Sequence, residues 1–257
     1  MSAETTRAIG GRATRIAEAG AGRPLLWLHD TRGNRWTPGH ELLSDACRVI
    51  APSLPGFDDS TTLGRIDEPE DVVFWLLDLL DALALERPVV LGCGLGGWMA
   101  AELAVRYPER LGGLVLVDAY GIQVDGALAA DEFALTAPML RPLVFTDPAG
   151  ALAQEWLPDV ETPERLERAL HAKVAAARLA WQFPYAPKLR GRLGRAKLQA
   201  LVIWGEQDRA LTTGNLDGLD KYVRHLTITR VPDGTHWVVQ EQPELITREI
   251  RAFMARS

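Results

Sequence analysis

Short apolar runs alternate with longer amphipathic stretches along most of the chain. Residues 5–9 and 12–17 flank Gly10-Gly11 as the two arms of a hairpin would. Leu25-Leu26-Trp27-Leu28 follows Pro24 and reads as a buried strand that ends at His29-Asp30-Thr31. Residues 36–46 predict a helix, and residues 48–52 predict a strand cut off by Pro52 and the turn at Pro55-Gly56. Over residues 67–85, Val72, Val73, Leu76, Leu79, Leu80 and Leu83 recur with the helical period. Pro69 falls in the first turn of that helix, where its missing N–H is harmless. Val89-Val90-Leu91 then runs through a glycine turn into a helix over residues 99–106, with Trp98, Ala101, Leu103 and Ala104 on its packing side. Further strands are predicted at residues 114–117, 201–204 and 226–231, and a closing helix at 244–255. Such alternation predicts an α/β fold, a mostly parallel central sheet with helices on both faces. Residues 121–197 break the rhythm: they are rich in Ala and Pro and hold no strand-length β-branched run. They read as a small helical cap inserted into a core made of residues 1–120 and 198–257.

Composition narrows the function classes. At 257 residues, with 47% apolar and 24% charged residues, the chain can bury one large core. A net charge of -6 gives no attraction to nucleic acid or to an anionic membrane. The most apolar long stretch, residues 72–85, is broken by Asp78 and Asp81, so no membrane span is expected. The first 15 residues lack the apolar segment of a signal peptide. Cys47 and Cys93 are too few for a disulfide framework or a zinc site, which points to a reducing cytoplasm. The expected partner is a small molecule, with no cofactor and no metal; the oligomeric state stays open, a homodimer included.

The glycine corner, Gly92-Cys93-Gly94-Leu95-Gly96-Gly97, fits two patterns. Gly92, Gly94 and Gly97 match the dinucleotide fingerprint, and Asp118 closes the next strand about 20 residues on, where a ribose-binding acid belongs. Against this, the fingerprint ordinarily opens its domain, and three strands and two helices come first here. Gly92, Gly94 and Gly96 match a nucleophile elbow, with Gly94 where the nucleophile would stand.

The rest of the chain decides between them. His29-Asp30, residues 51–57, the glycine corner, residues 107–111, residues 114–118, residues 204–208, Gly234-Thr235-His236-Trp237 and Glu241-Gln242-Pro243 follow one another in an order that resembles the α/β-hydrolase family. The resemblance runs from about Pro24 to the C-terminus and implies the α/β-hydrolase fold. It implies that Asp208 is the acid and His236 the catalytic histidine, the acid holding one ring proton so that the other nitrogen can act as base. It also implies that the backbone amides of Leu95 and Thr31 form an oxyanion hole beside His29. Trp98 and Trp237 flank the corner and the histidine and are the tryptophans expected to meet a ligand; Trp36, Trp75, Trp156 and Trp181 are expected to pack. Cys93 is expected to be buried and to point away from the pocket. His40, His171 and His225 stand alone and are expected at the surface or satisfied.

Two positions depart from the family pattern. Gly94 has no side chain to attack with, so a serine-esterase mechanism is not expected. Asp30 replaces the usual glycine after the strand-end histidine, and its carboxylate would oppose an oxyanion unless protonated or turned outward. Asp58 likewise stands where glycine is more usual, which bears on the shape of the loop with Asp59 and Ser60. The expectation is an enzyme in which His236 and Asp208 act as a general base without a serine, by direct ester or lactone hydrolysis or by proton abstraction. The alternative is a non-catalytic protein that binds a small molecule in the same pocket. Phe133, Leu135, Met139, Leu140, Leu143 and Phe145 are expected to give that pocket apolar walls.

Overall fold

Among the described residues eight strands form a single sheet in the order β1-β2-β4-β3-β5-β6-β7-β8. They are β1 (Ala3–Ile9), β2 (Arg12–Ala19), β3 (Pro24–Leu28), β4 (Arg48–Pro52), β5 (Val89–Cys93), β6 (Gly113–Val117), β7 (Ala200–Gly205) and β8 (Leu226–Val231). The structure is a computed structural model and describes residues 2–58, 64, 66–124, 126–127, 129–160, 162–180, 186, 188–223 and 225–257. Asp59, Ser60 and Trp181 lie outside the described residues. β1 and β2 form the expected antiparallel hairpin, β2 pairs antiparallel with β4, and every other pairing is parallel.

The pleat explains why the inner strands are apolar throughout. Successive side chains on a strand point to opposite faces, and both faces here are covered. Leu26, Leu28, Val90, Leu114, Leu116, Val202 and Trp204 join one core cluster with α2 (Pro69–Ala82) and α3 (Gly94–Arg106). Leu25, Trp27, Val89, Leu91, Val115, Val117, Leu201 and Ile203 join a second cluster on the other face. That cluster takes in Leu43 of α1 (Pro38–Ser44) and Ile246, Ile250 and Phe253 at the C-terminal end of the chain. Each fully buried leucine or isoleucine contributes about 1.5–3 kcal/mol.

Between Val117 and Ala200 the described residues add four helices and no strand of the sheet: α4 (Ala137–Val144), α5 (Ala151–Trp156), α6 (Pro163–Ala180) and α7 (Leu189–Arg192). Two more close the chain, α8 (Val238–Glu241) and α9 (Pro243–Met254). No helix among the described residues is long and apolar enough to cross a membrane. α3 begins at Gly94, five residues before the helix expected at Met99, because the glycine turn is itself the first turn of the helix.

From β3 the chain crosses to β4 on one side and to β5 on the other, so strand order reverses there. At such a reversal the connections leaving the strands' carboxyl ends diverge and open a crevice. Every residue of the site described next leaves the sheet at that edge.

Candidate active site

β3 delivers His29, Asp30 and Thr31; β5 delivers Gly94 and Leu95; the later strands bring Asp118, Tyr120, Asp208 and His236. Gly94 has φ +47, a left-handed conformation that glycine adopts at least cost. A Cβ added there would lie within 2.6 Å of the Asp30 carboxyl carbon and both its oxygens. The corner that carries no side chain of its own is therefore filled by the side chain of Asp30.

Asp30 faces inward, which resolves the two orientations left open by the sequence. The Leu95 amide donates to its Oδ1 at 2.8 Å, and Trp237 Nε1–H donates to Oδ2 at 3.2 Å. The Thr31 amide also acts on the carboxylate and favours its charged form. Of the two amides expected to form an oxyanion hole, that of Leu95 is thus taken up by Asp30. Burial and the nearby Glu132 carboxylate push the Asp30 carboxyl above its ordinary range, against the opposing pull of His236 and the amides.

His236 is buried and pairs through Nδ1 with Asp208 Oδ2 at 2.8 Å. The other carboxylate oxygen of Asp208 accepts the amides of Ala210 at 2.9 Å and Leu211 at 2.7 Å, which fixes its orientation. His236 Nε2 is buried and makes no hydrogen bond; Asp30 Oδ2 lies 3.7 Å away and Glu132 Oε1 4.0 Å away. Burial alone would depress the imidazole, but Asp208, Asp30 and Glu132 outweigh it and push its pKa up to about 10. The surrounding carboxylates thus favour the imidazolium form, a feature that identifying an acid and a base by family order does not reveal.

Glu132 is the residue that sequence reasoning missed. It sits in the irregular run before α4, where neither spacing nor periodicity marks it. Tyr120 OH donates to its Oε1 and Thr31 Oγ1 to its Oε2 at 3.1 Å. These residues border a cavity of about 200 Å³, lined by Thr31, Leu95, Tyr120, Glu132, Phe133 and Ala180 among others.

Several expectations are corrected here. Trp98 does not line the cavity: it is buried in the core, under Gly121, with Nε1–H donating to Glu102. Trp237 does belong to the site, through its bond to Asp30. His29 is taken up by the backbone, accepting the Leu54 amide at Nε2 and donating from Nδ1 to the Asp30 carbonyl oxygen. Of the six apolar residues expected on the pocket wall only Phe133 is there. Leu135, Leu140, Leu143 and Phe145 pack around Trp237 instead, and Met139 is exposed. Cys93 is half-buried rather than buried, and burial together with Asp30 and Asp118 keeps its thiol protonated. His40 is satisfied in the interior, stacked on Trp27 at 3.8 Å with Nδ1 held by the Thr37 hydroxyl.

The dinucleotide reading also fails on geometry. A Cβ at Gly96 would lie within 2.6 Å of the Leu28 carbonyl carbon and the His29 carbonyl oxygen, so these glycines serve close packing of α3 on the sheet. Asp118 is buried and accepts the Gly205 amide at 2.9 Å, and burial beside Asp208 raises its pKa strongly. It is a structural residue beneath the site. No group of three or more potential metal ligands is found among the described residues.

Residues 19–249 match the sequence profile of the Alpha/beta hydrolase family. The chain is 29% identical over 264 residues to the dihydrolipoyllysine-residue acetyltransferase component of the acetoin cleaving system of Pseudomonas putida, covering 96% of this chain and 68% of that one. It is 26% identical over 271 residues to a 2-hydroxy-6-oxo-2,4-heptadienoate hydrolase of Pseudomonas putida strain F1, covering 99% and 98%. Among solved structures, the 2-hydroxy-6-oxo-6-phenylhexa-2,4-dienoate hydrolase of Rhodococcus sp. strain RHA1 superposes with a TM-score of 0.80 at 19% identity, covering 99% of each chain. With its profile match, its sheet and these likenesses, the chain belongs to the alpha/beta hydrolase family, a family of enzymes.

Proposed function

We propose that this protein is a hydrolase of a small, partly apolar molecule that works without a serine nucleophile. Gly94 stands at the family's nucleophile position, and His236, oriented by Asp208, moves the proton. The observation that carries the reading is the pairing of His236 with Asp208 at 2.8 Å, with Nε2 left unbonded toward the corner. A structural histidine would be expected to satisfy both nitrogens. The substrate is an ester, a lactone or a related carbonyl compound, in keeping with the small oxo-acid substrates in the names of two relatives. Its apolar part rests in the cavity walled by Phe133 and Ala180. The described residues between 121 and 197 act as a cap over that cavity, and the two free cysteines suit a reducing cytoplasm.

A screen of aryl esters and lactones tests this. Turnover that falls about a hundredfold or more in His236→Gln, and strongly in Asp208→Asn, supports the reading; turnover indifferent to both refutes it. One observation favours a second reading, a non-catalytic binding protein: the Leu95 amide is already occupied by Asp30. Saturable binding of a small molecule with no turnover of any ester would favour that alternative.

A further inference from the structure

We propose that a second, arginine-walled cavity, apart from the candidate active site, is a binding site for a small aromatic carboxylate. Its volume is about 480 Å³, against about 200 Å³ for the cavity beside Glu132. Its walls come from separate parts of the chain: Arg15 from β2, Arg32 and Arg35 after β3, and Arg165 and Arg168 from the start of α6. Leu95, Tyr120 and Phe133 line the smaller cavity and are not among the described walls of this one. Five arginines thus converge on one space in a chain whose net charge is -6. Like charges gathered in this way repel one another, and an anion set among them relieves the repulsion. Arg32 also borders two narrow clefts that reach Asp30 and Glu132, so the site adjoins the candidate active site without sharing its cavity.

The charge a ligand must bring follows from what the arginines already hold. Arg15 pairs with Glu4 at 2.6 Å and Arg35 with Glu155 at 3.2 Å. Arg165 donates to the Glu155 carbonyl oxygen at 2.6 Å. Arg32 and Arg168 form no ion pair among the described residues. Asp58, a carboxylate in the wall, is engaged through Oδ2 by the Asn34 amide at 2.8 Å and the Ser53 hydroxyl at 2.7 Å. The guanidinium forks of Arg32 and Arg168 therefore suit one or two carboxylate groups, which such forks bind through paired N–H···O bonds. A nucleoside triphosphate brings more negative charge than two guanidinium groups balance. The body of the ligand is set by indole faces: Trp36 and Trp156 stand in the same wall, and Arg35 lies over the Trp156 ring at 4.3 Å. A flat aromatic ring extends that stack, with guanidinium and indole as its neighbours.

2-Naphthoate is the probe, titrated by calorimetry into the full chain beside the neutral 2-naphthamide. The acid should bind at least about tenfold more tightly than the amide. Arg32→Gln and Arg168→Gln should each weaken the acid about tenfold, and a roughly tenfold rise in salt should weaken it too. Phe133→Ala, in the smaller cavity, should leave this binding unchanged. Photo-crosslinking with 4-azidobenzoate locates the contact whether or not the arginine variants fold: the labelled peptides should hold residues 32–36 or 156–169. Equal binding of the amide, binding of the acid that survives both arginine variants, or no binding at millimolar concentration would overturn the proposal. So would label confined to residues 129–133, which border the smaller cavity. Displacement of naphthoate by an equal concentration of inorganic phosphate would overturn the assignment to a carboxylate. Every readout is of binding rather than turnover, so failure here leaves the hydrolase reading standing.

Discussion

Replacing Gly94 with serine puts a Cβ where the Asp30 carboxyl group now lies. Two costs follow. A non-glycine residue in this left-handed corner carries about 1–3 kcal/mol of backbone strain. Displacing Asp30 also breaks its bond from the Leu95 amide, a hydrogen bond to a charged group worth about 1.5–3 kcal/mol. The single variant should therefore lose about 2.5–6 kcal/mol, a large share of the stability of an ordinary domain. With Asp30→Gly in place the space is free, and serine should cost only the strain, about 1–3 kcal/mol. The two positions are thus predicted to be coupled by about 2 kcal/mol. Urea unfolding of the parent, both single variants and the double variant measures the coupling directly. The double variant should also gain fluorophosphonate labelling at residue 94, since its hydroxyl then faces His236. A coupling below about 0.5 kcal/mol would refute the claim that Asp30 occupies the corner.

Further consequences can be checked in the same way. Gly96→Ala should cost more than about 3 kcal/mol, because its Cβ meets the backbone of Leu28 and His29, whereas Gly191→Ala, which meets nothing within 4 Å, should be neutral or stabilising. Asp118→Asn should keep the Gly205 amide bond and relieve repulsion with Asp208, so its melting temperature should match or exceed the parent's, and neither NAD nor ATP should shift it. His236 is pushed up to about 10 when folded against an ordinary 6.5, so the folded state holds an extra proton between those values. The stability this confers is complete below about pH 6.5 and is lost as pH rises through 10; Asp30 and Asp118, both raised, act in the same sense. Melting temperature should fall from pH 7 to pH 10, and His236→Gln should flatten that slope.

The strands and helices were legible because burial on two faces forces period-2 and period-3.6 patterns that survive in one sequence, as Leu25 to Leu28 and Val72 to Leu83 show. His236, Asp208 and Trp237 were legible from ordered motifs. Glu132 and Tyr120 were not, because they reach the site through irregular chain whose path depends on tertiary packing. Nor does a pattern of letters say which way a side chain turns. Trp98 and Trp237 both neighbour the motifs, yet Trp98 faces the core and Trp237 faces Asp30. The inward turn of Asp30 depends on the emptiness of position 94, a relation between residues 64 apart in sequence.

The claim that most needs testing is that hydrolysis here depends on His236 and on no serine. The direct measurement is turnover of p-nitrophenyl acetate by protein treated to completion with a fluorophosphonate, beside the same treatment of His236→Gln. The account predicts that the treated parent keeps its rate, with no serine labelled, and that His236→Gln loses at least a hundredfold. A parent enzyme silenced by the fluorophosphonate, or a His236→Gln variant as active as its parent, would contradict it.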